Sequence, residues 1–167
     1  MKKFRFLLTA ILFAIVLCAV SACGKDIVKL SFETNGGSSI ETVEVKKGES
    51  YELPVPTRTG FEFDGWFTDA NFSGSAVTSV VAENDATYYA KWTQLYTVTL
   101  DLDGGSLSAT SLHLKAGANL YNAVKELAPS KANHQFAGWF KGDDALSESA
   151  VMPSENVTLK AKYKVAY

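Results

Sequence analysis

The chain has 167 residues, 47% of them hydrophobic and 20% charged, with a formal net charge of −2. That is the make-up of an ordinary globular protein and not of a disordered one. The mildly acidic balance and the lack of a basic stripe argue against nucleic acid as a partner, because such binding rests on neutralising phosphates.

The N-terminus reads as an export signal. Met1-Lys2-Lys3-Phe4-Arg5 is a short basic head, followed by an apolar run of 15 residues, Phe6 to Val20. That run is short of the roughly 20 needed to cross a bilayer as a helix, and a basic head, an apolar run and small residues in that order define a secretory signal. Val20-Ser21-Ala22-Cys23 then resembles the lipobox of bacterial lipoproteins. The resemblance implies cleavage in front of Cys23 and a diacylglyceryl thioether on its sulfur, making residues 1–22 a signal peptide and 23–26 a lipidated tether. Cleavage takes away three of the 16 basic residues and leaves 13 against 18 acidic ones, a net −5. Cys18 leaves with the signal, so Cys23 is the one cysteine of the mature chain and no internal disulfide is expected. Two or three acyl chains, at about 0.8 kcal/mol per buried CH₂, anchor stably where one does not. Gly24, Lys25 and Asp26 span on the order of 10 Å, which sets the next segment close to a membrane surface.

Residues 27–93 form a first module. Val28, Leu30 and Phe32 alternate with Lys29, Ser31 and Glu33, the period-2 pattern of a half-buried strand. Asn35-Gly36-Gly37 is a turn sequence, and Ile40 to Val45 reads as the second strand of a hairpin closed by Lys46-Lys47-Gly48. Two prolines in Tyr51-Glu52-Leu53-Pro54-Val55-Pro56 exclude a helix there and predict an extended crossover. Phe61 and Phe63 open a third strand that runs into Gly65-Trp66-Phe67. Thr68 to Asp85 is a polar loop with a short apolar return at Val77, Val80 and Val81, and Thr87 to Trp92 is the last strand.

After the linker Thr93-Gln94-Leu95, residues 96–167 say the same thing again. Gly36, Gly65 and Ala90 recur as Gly104, Gly138 and Ala161, at offsets of 68, 73 and 71; repetition at nearly fixed spacing is the signature of tandem units. Tyr96 to Leu102 repeats strand one and Leu112 to Leu114 strand two. Leu120, Ala123, Val124 and Leu127 then sit on one face of a helix, with Asn119 as its N-cap and Pro129 marking its end. Strand three holds Phe136, Gly138 and Phe140, and strand four Leu159, Ala161 and Tyr163. A β-β-crossover-β-β unit whose crossover slot holds a helix is the ground plan expected of both modules. A three-residue linker without Gly or Pro predicts a stiff, end-to-end pair.

Both copies resemble the Listeria–Bacteroides repeat, also called the internalin B repeat. The first matches at Thr34-Asn35-Gly36-Gly37, at Gly60-Phe61-Glu62-Phe63-Asp64-Gly65-Trp66-Phe67-Thr68 and at Tyr89-Ala90-Lys91-Trp92. The second keeps Gly104-Gly105 and Phe136-Ala137-Gly138-Trp139-Phe140, and departs at Asn133-His134, Lys160 and Tyr163. The resemblance implies an α+β, mostly β chain of two tandem β-grasp (ubiquitin-like) modules, without a catalytic centre, of the kind found in bacterial surface proteins.

The residues themselves offer little chemistry. His113 and His134 are the only histidines, no nucleophile elbow occurs, and neither enzyme activity nor a cofactor is expected. Asp101, Asp103, Asp143 and Asp144 lack the later ligands of a calcium loop, so no metal is expected and a solvated turn is the reading. The candidate binding residues are aromatic. Alternation puts Phe61, Phe63, Phe67, Phe136 and Phe140 on a core side, and Trp66 and Trp139 on the opposite side with Glu62, Asp64 and Gln135. There the tryptophans are either covered by the next element or exposed as amphipathic anchors. Tyr89 is outward as well, with Lys160 in its place in the second copy. The expectation is a non-enzymatic lipoprotein on the cell surface, held to the membrane by lipid on Cys23, whose modules contact a protein on a host or neighbouring surface. Polysaccharide binding through Trp66 and Trp139, or a ligand-free spacer, are the alternatives.

Overall fold

The computed structural model describes residues 26–166; the expected signal peptide and Cys23 lie outside them. The chain is mostly β. The first module contributes β1 (Ile27–Glu33), β2 (Val43–Lys46), β3 (Ser50–Glu52), β4 (Phe61–Phe67) and β5 (Ser79–Val81). β6 (Ala86–Asp101) belongs to both modules, and the second adds β7 (Ser111–Lys115), α1 (Leu120–Val124), β8 (His134–Lys141), β9 (Asp144–Ala145) and β10 (Val157–Val165).

The segment read as a linker is therefore the middle of a strand. β6 runs for 16 residues, roughly 50 Å, and its first half closes one module while its second half opens the next. Tyr88, Ala90, Trp92, Tyr96, Val98 and Leu100 all turn toward the two cores, so one alternation keeps its phase across the border, with exposed Gln94 as its gap. Leu95 donates its N–H to the Gly60 carbonyl at 2.8 Å, which ties the junction to the first module.

Each half repeats one topology. β1 pairs antiparallel with β2 and parallel with β6, and β4 pairs antiparallel with β6. In the second half β6 pairs antiparallel with β7 and parallel with β10, and β8 pairs antiparallel with β10. A parallel pair needs a crossover, and the two crossovers differ. The first holds the two-stranded β3–β5 ribbon and, among the described residues, no helix, which corrects the expectation of a helix in both. Its prolines explain this. The second holds α1, capped by the Asn119 side chain accepting the Asn122 N–H at 2.7 Å. The helix stops short of Leu127, whose carbonyl is taken by the Trp139 indole at 2.8 Å. Strand β2 also starts later than expected, at Val43, and upstream Ser38 pairs with Thr57 of the crossover through both its backbone and its hydroxyl.

Recurrent residues hold recurrent bonds. The Thr34 carbonyl accepts the Gly37 N–H at 3.0 Å and the Trp92 indole N–H at 2.9 Å. The Leu102 carbonyl likewise accepts the Gly105 N–H at 2.8 Å and the Tyr163 hydroxyl at 2.7 Å. Trp and Tyr interchange at the closing position because each carries a donor at the far edge of its ring. The same contact explains the second glycine of the turn: a Cβ on Gly37 would lie 2.5 Å from the Trp92 ring, and one on Gly105 would overlap the Tyr163 hydroxyl.

Candidate functional site

The exposed-anchor reading of Trp66 and Trp139 does not hold. They are 1% and 5% exposed and sit in the two cores. Strict alternation fails because each strand carries a bulge in front of its tryptophan, and an extra residue exchanges the faces of all that follow. The unpaired residues are Asp64 and Ala137, and the glycine after each, Gly65 or Gly138, takes a φ of +125° or +135°. Trp66 then lies opposite Ala90 and Trp139 opposite Ala161, both on the core face. Each indole donates to a crossover carbonyl 12 residues earlier, Pro54 at 2.7 Å and Leu127 at 2.8 Å. A large apolar ring with one satisfied donor is thus the bolt between sheet and crossover.

The phenylalanines after the bulge change side in turn. Phe63 and Phe136 pack on the cores, whereas Phe67 lies opposite Tyr89, and Phe140 opposite Lys160, on the outer face. Phe67 is nonetheless buried, covered edge-on by Phe72 at 5.6 Å. Phe61 is half-buried under the Arg58 guanidinium, 3.7 Å from the ring centre.

Tyr89 does reach an open surface. It lines a cleft of about 420 Å³ in the first module with Glu33, Asn35, Arg58, Phe72 and Lys91. Arg58 donates to the Asn35 carbonyl at 3.0 Å, and the Lys91 ammonium stands over the rings of Phe67 at 5.3 Å and Phe72 at 5.8 Å. The sequence reading missed Arg58, although the offset that relates Gly65 to Gly138 also relates it to Lys131. A second cavity, about 210 Å³, lies between α1 and β8 of the other module, beside Gly138 and Phe140.

The second module fills the position equivalent to the cleft with its own charges. Asp103 lies 3.0 Å from Lys160 and 3.5 Å from Lys131, and Lys131 also donates to the Asp103 carbonyl at 2.6 Å. The hydrogen bond and charge of Lys160, with Lys131 behind it, hold the Asp103 carboxyl below the usual range, and Asp103 raises Lys160 in return. Burial, then Asp103 and Asp101, pushes the Tyr163 phenol up. Asp143 is spread away toward Lys162 at 3.9 Å, and among the described residues no three acidic, histidine or cysteine side chains converge as metal ligands. His134 bonds through Nδ1 to the Ala132 carbonyl at 2.7 Å and faces Tyr163 edge-on.

The Listeria-Bacteroides repeat domain matches residues 29–91 and again residues 96–162. The chain belongs to this family. Its two copies meet within β6, and each holds the Gly-Gly turn and the Gly-Trp bulge described above and ends one residue before the closing Trp92 or Tyr163. The chain is 33% identical over 147 residues to a "Putative membrane protein" of Evansella cellulosilytica, an alignment covering 84% of this chain and 21% of that protein. It is 32% identical over 148 residues to a "Putative Gly-rich membrane protein" of the same organism, covering 84% and 16%. The chain thus spans about a fifth or less of the length of these curated relatives.

Proposed function

We propose that this repeat protein is a non-enzymatic lipoprotein of the bacterial cell surface, whose two β-grasp modules make contact with a protein on a host or neighbouring surface. The reading rests above all on the fusion of two family repeats through β6, which supports a stiff double module. The order β2-β1-β6-β4, with a crossover between the parallel strands, supports the β-grasp assignment. Membrane association draws on the relatives' names, and the lipid on Cys23 on the lipobox-like residues in front of it. Edge strands add a route to a partner, since unpaired backbone groups accept an added strand.

Two experiments test this. The full chain, solubilised and immobilised, is expected to retain protein from surface extracts above a heat-denatured control, while purified envelope polysaccharides pass through; retention of nothing but glycan would sink the protein-contact reading. Cys23→Ser is expected to move the chain from the membrane fraction to the soluble one, and unchanged membrane retention would sink the lipid anchor.

A further inference from the structure

The two modules are each other's control, and they differ in one polar cluster beside the turn. In the second, the chain's own carboxylate, Asp103, sits between Lys160 and Lys131. In the first, Arg58 takes the place of Lys131 and makes the same bond to the turn carbonyl, but the turn residue is Asn35, whose side chain donates to the Ala90 carbonyl at 2.8 Å. Tyr89 stands where Lys160 stands. The cation at the turn is kept, the carboxylate that met it is gone, and a cleft of about 420 Å³ opens there.

Among the described residues, no carboxylate lies within ion-pair distance of Arg58 or Lys91; both are instead held over aromatic rings. Glu33 also lines the cleft, where it accepts the Asn35 N–H at 3.4 Å as Asp101 accepts that of Asp103 at 3.0 Å. We propose that this cleft receives an acidic side chain of a protein partner, with Arg58 and Lys91 meeting the carboxylate and Tyr89 and Phe72 packing against the apolar residue beside it. A planar guanidinium fixed by stacking presents paired donors that match a carboxylate, and the acid already accepted at this position in the sister module is an aspartate on a polypeptide turn. The proposal rests on the protein-contact reading above.

The probe is a labelled glutamate hexapeptide titrated into the full chain by fluorescence anisotropy, at low and at physiological salt, beside an oligogalacturonate of equal charge. The decisive variant, Asn35→Asp with Tyr89→Lys, copies the constellation that the second module already holds. We expect salt-sensitive binding of the peptide, weakened about fivefold or more in that variant and in Arg58→Gln/Lys91→Gln, and unchanged in Lys131→Gln. Wild-type affinity in the double variants would overturn the proposal, as would tighter binding of the glycan than of the peptide. If the Asn35→Asp/Tyr89→Lys chain still captures the wild-type partner from surface extracts, the cleft is overturned while the protein-contact reading stands. If the wild type captures none, that reading falls, and the peptide titration still decides the cleft.

Discussion

The two modules share a frame and disagree about what crosses it. In both, a turn carbonyl is closed by two donors, a glycine bulge turns a tryptophan inward, and that indole bolts the sheet to the crossover. Over this frame the first module lays a ribbon with Ala76 packed against Gly65, while the second lays a short helix and leaves a cavity beside Gly138. The difference teaches where the repeat's specification resides. Four strands need the turn, the bulge and the closing aromatic, each for a steric or hydrogen-bonding reason, whereas any crossover serves that offers a carbonyl to the indole.

The largest test asks whether the shared strand makes the modules one cooperative unit. Trp66→Ala should cost about 3–5 kcal/mol, the range for emptying a core of a large aromatic. Because β6 is common property, protection of β10 should fall together with that of β4 when hydrogen exchange is resolved by segment. Loss confined to β4, with β10 unchanged, would show two independent domains that merely touch.

The bulge glycines sharpen the comparison next. Gly65→Ala and Gly138→Ala both place a side chain at positive φ, costing roughly 1–3 kcal/mol each. Only at Gly65 would the new Cβ also meet Ala76, 2.5 Å away, while at Gly138 nothing lies within 4 Å. The first substitution should therefore lose about 1–3 kcal/mol more in chemical denaturation, and adding Ala76→Gly should recover that excess. Equal losses without rescue would mean that strain alone sets the cost.

These same glycines mark the limit of reading by alternation. The four main strands of each module, the hairpins, the Asn119 cap and the repeat itself were legible, since each leaves a local pattern, whereas the short β3, β5 and β9 were not read as strands. The unbroken strand across residues 93–95 was legible too in principle, because the even-numbered apolar residues from Tyr88 to Leu100 keep one phase on either side of Gln94. The inward turn of Trp66 and Trp139 was not, since a bulge shifts phase by one residue and the period-2 rule has no term for it. Nor was the cleft: Arg58 and Lys131 lie in loops, and their shared task is set by a carbonyl supplied from the opposite turn.

A smaller effect isolates the closing bond. Tyr163→Phe keeps the ring and removes the hydroxyl that donates to Leu102. That carbonyl retains the Gly105 N–H, so the loss should be about 1 kcal/mol, the net worth of one hydrogen bond. Thermal unfolding would measure it; a loss several times larger would show that the hydroxyl also organises the Asp103 network.

The smallest effect is the most discriminating, because it depends on a charge that only one module has. The Asp103 carboxyl is held below its ordinary range by Lys160 and Lys131, so the folded state favours its ionised form. Its contribution is complete above the unfolded value of about 3.9 and drains away as pH falls through the lower folded value. Asn35 in the first module cannot titrate. Asp69 there is also held low, by Ser73 and Asn71, but those partners lie within its own loop and tie no turn to another element. As pH falls below the unfolded value of about 3.9, exchange protection at the Gly105 amide should therefore fall relative to that at Gly37, each corrected for its intrinsic rate. Asp103→Asn should remove the difference. The site is exposed to solvent and salt screens it, so the shift is expected to be slight and to shrink further at high ionic strength. A pH dependence that survives in Asp103→Asn would assign it to another group and leave the lysine–aspartate network without a measurable role in holding the second module together.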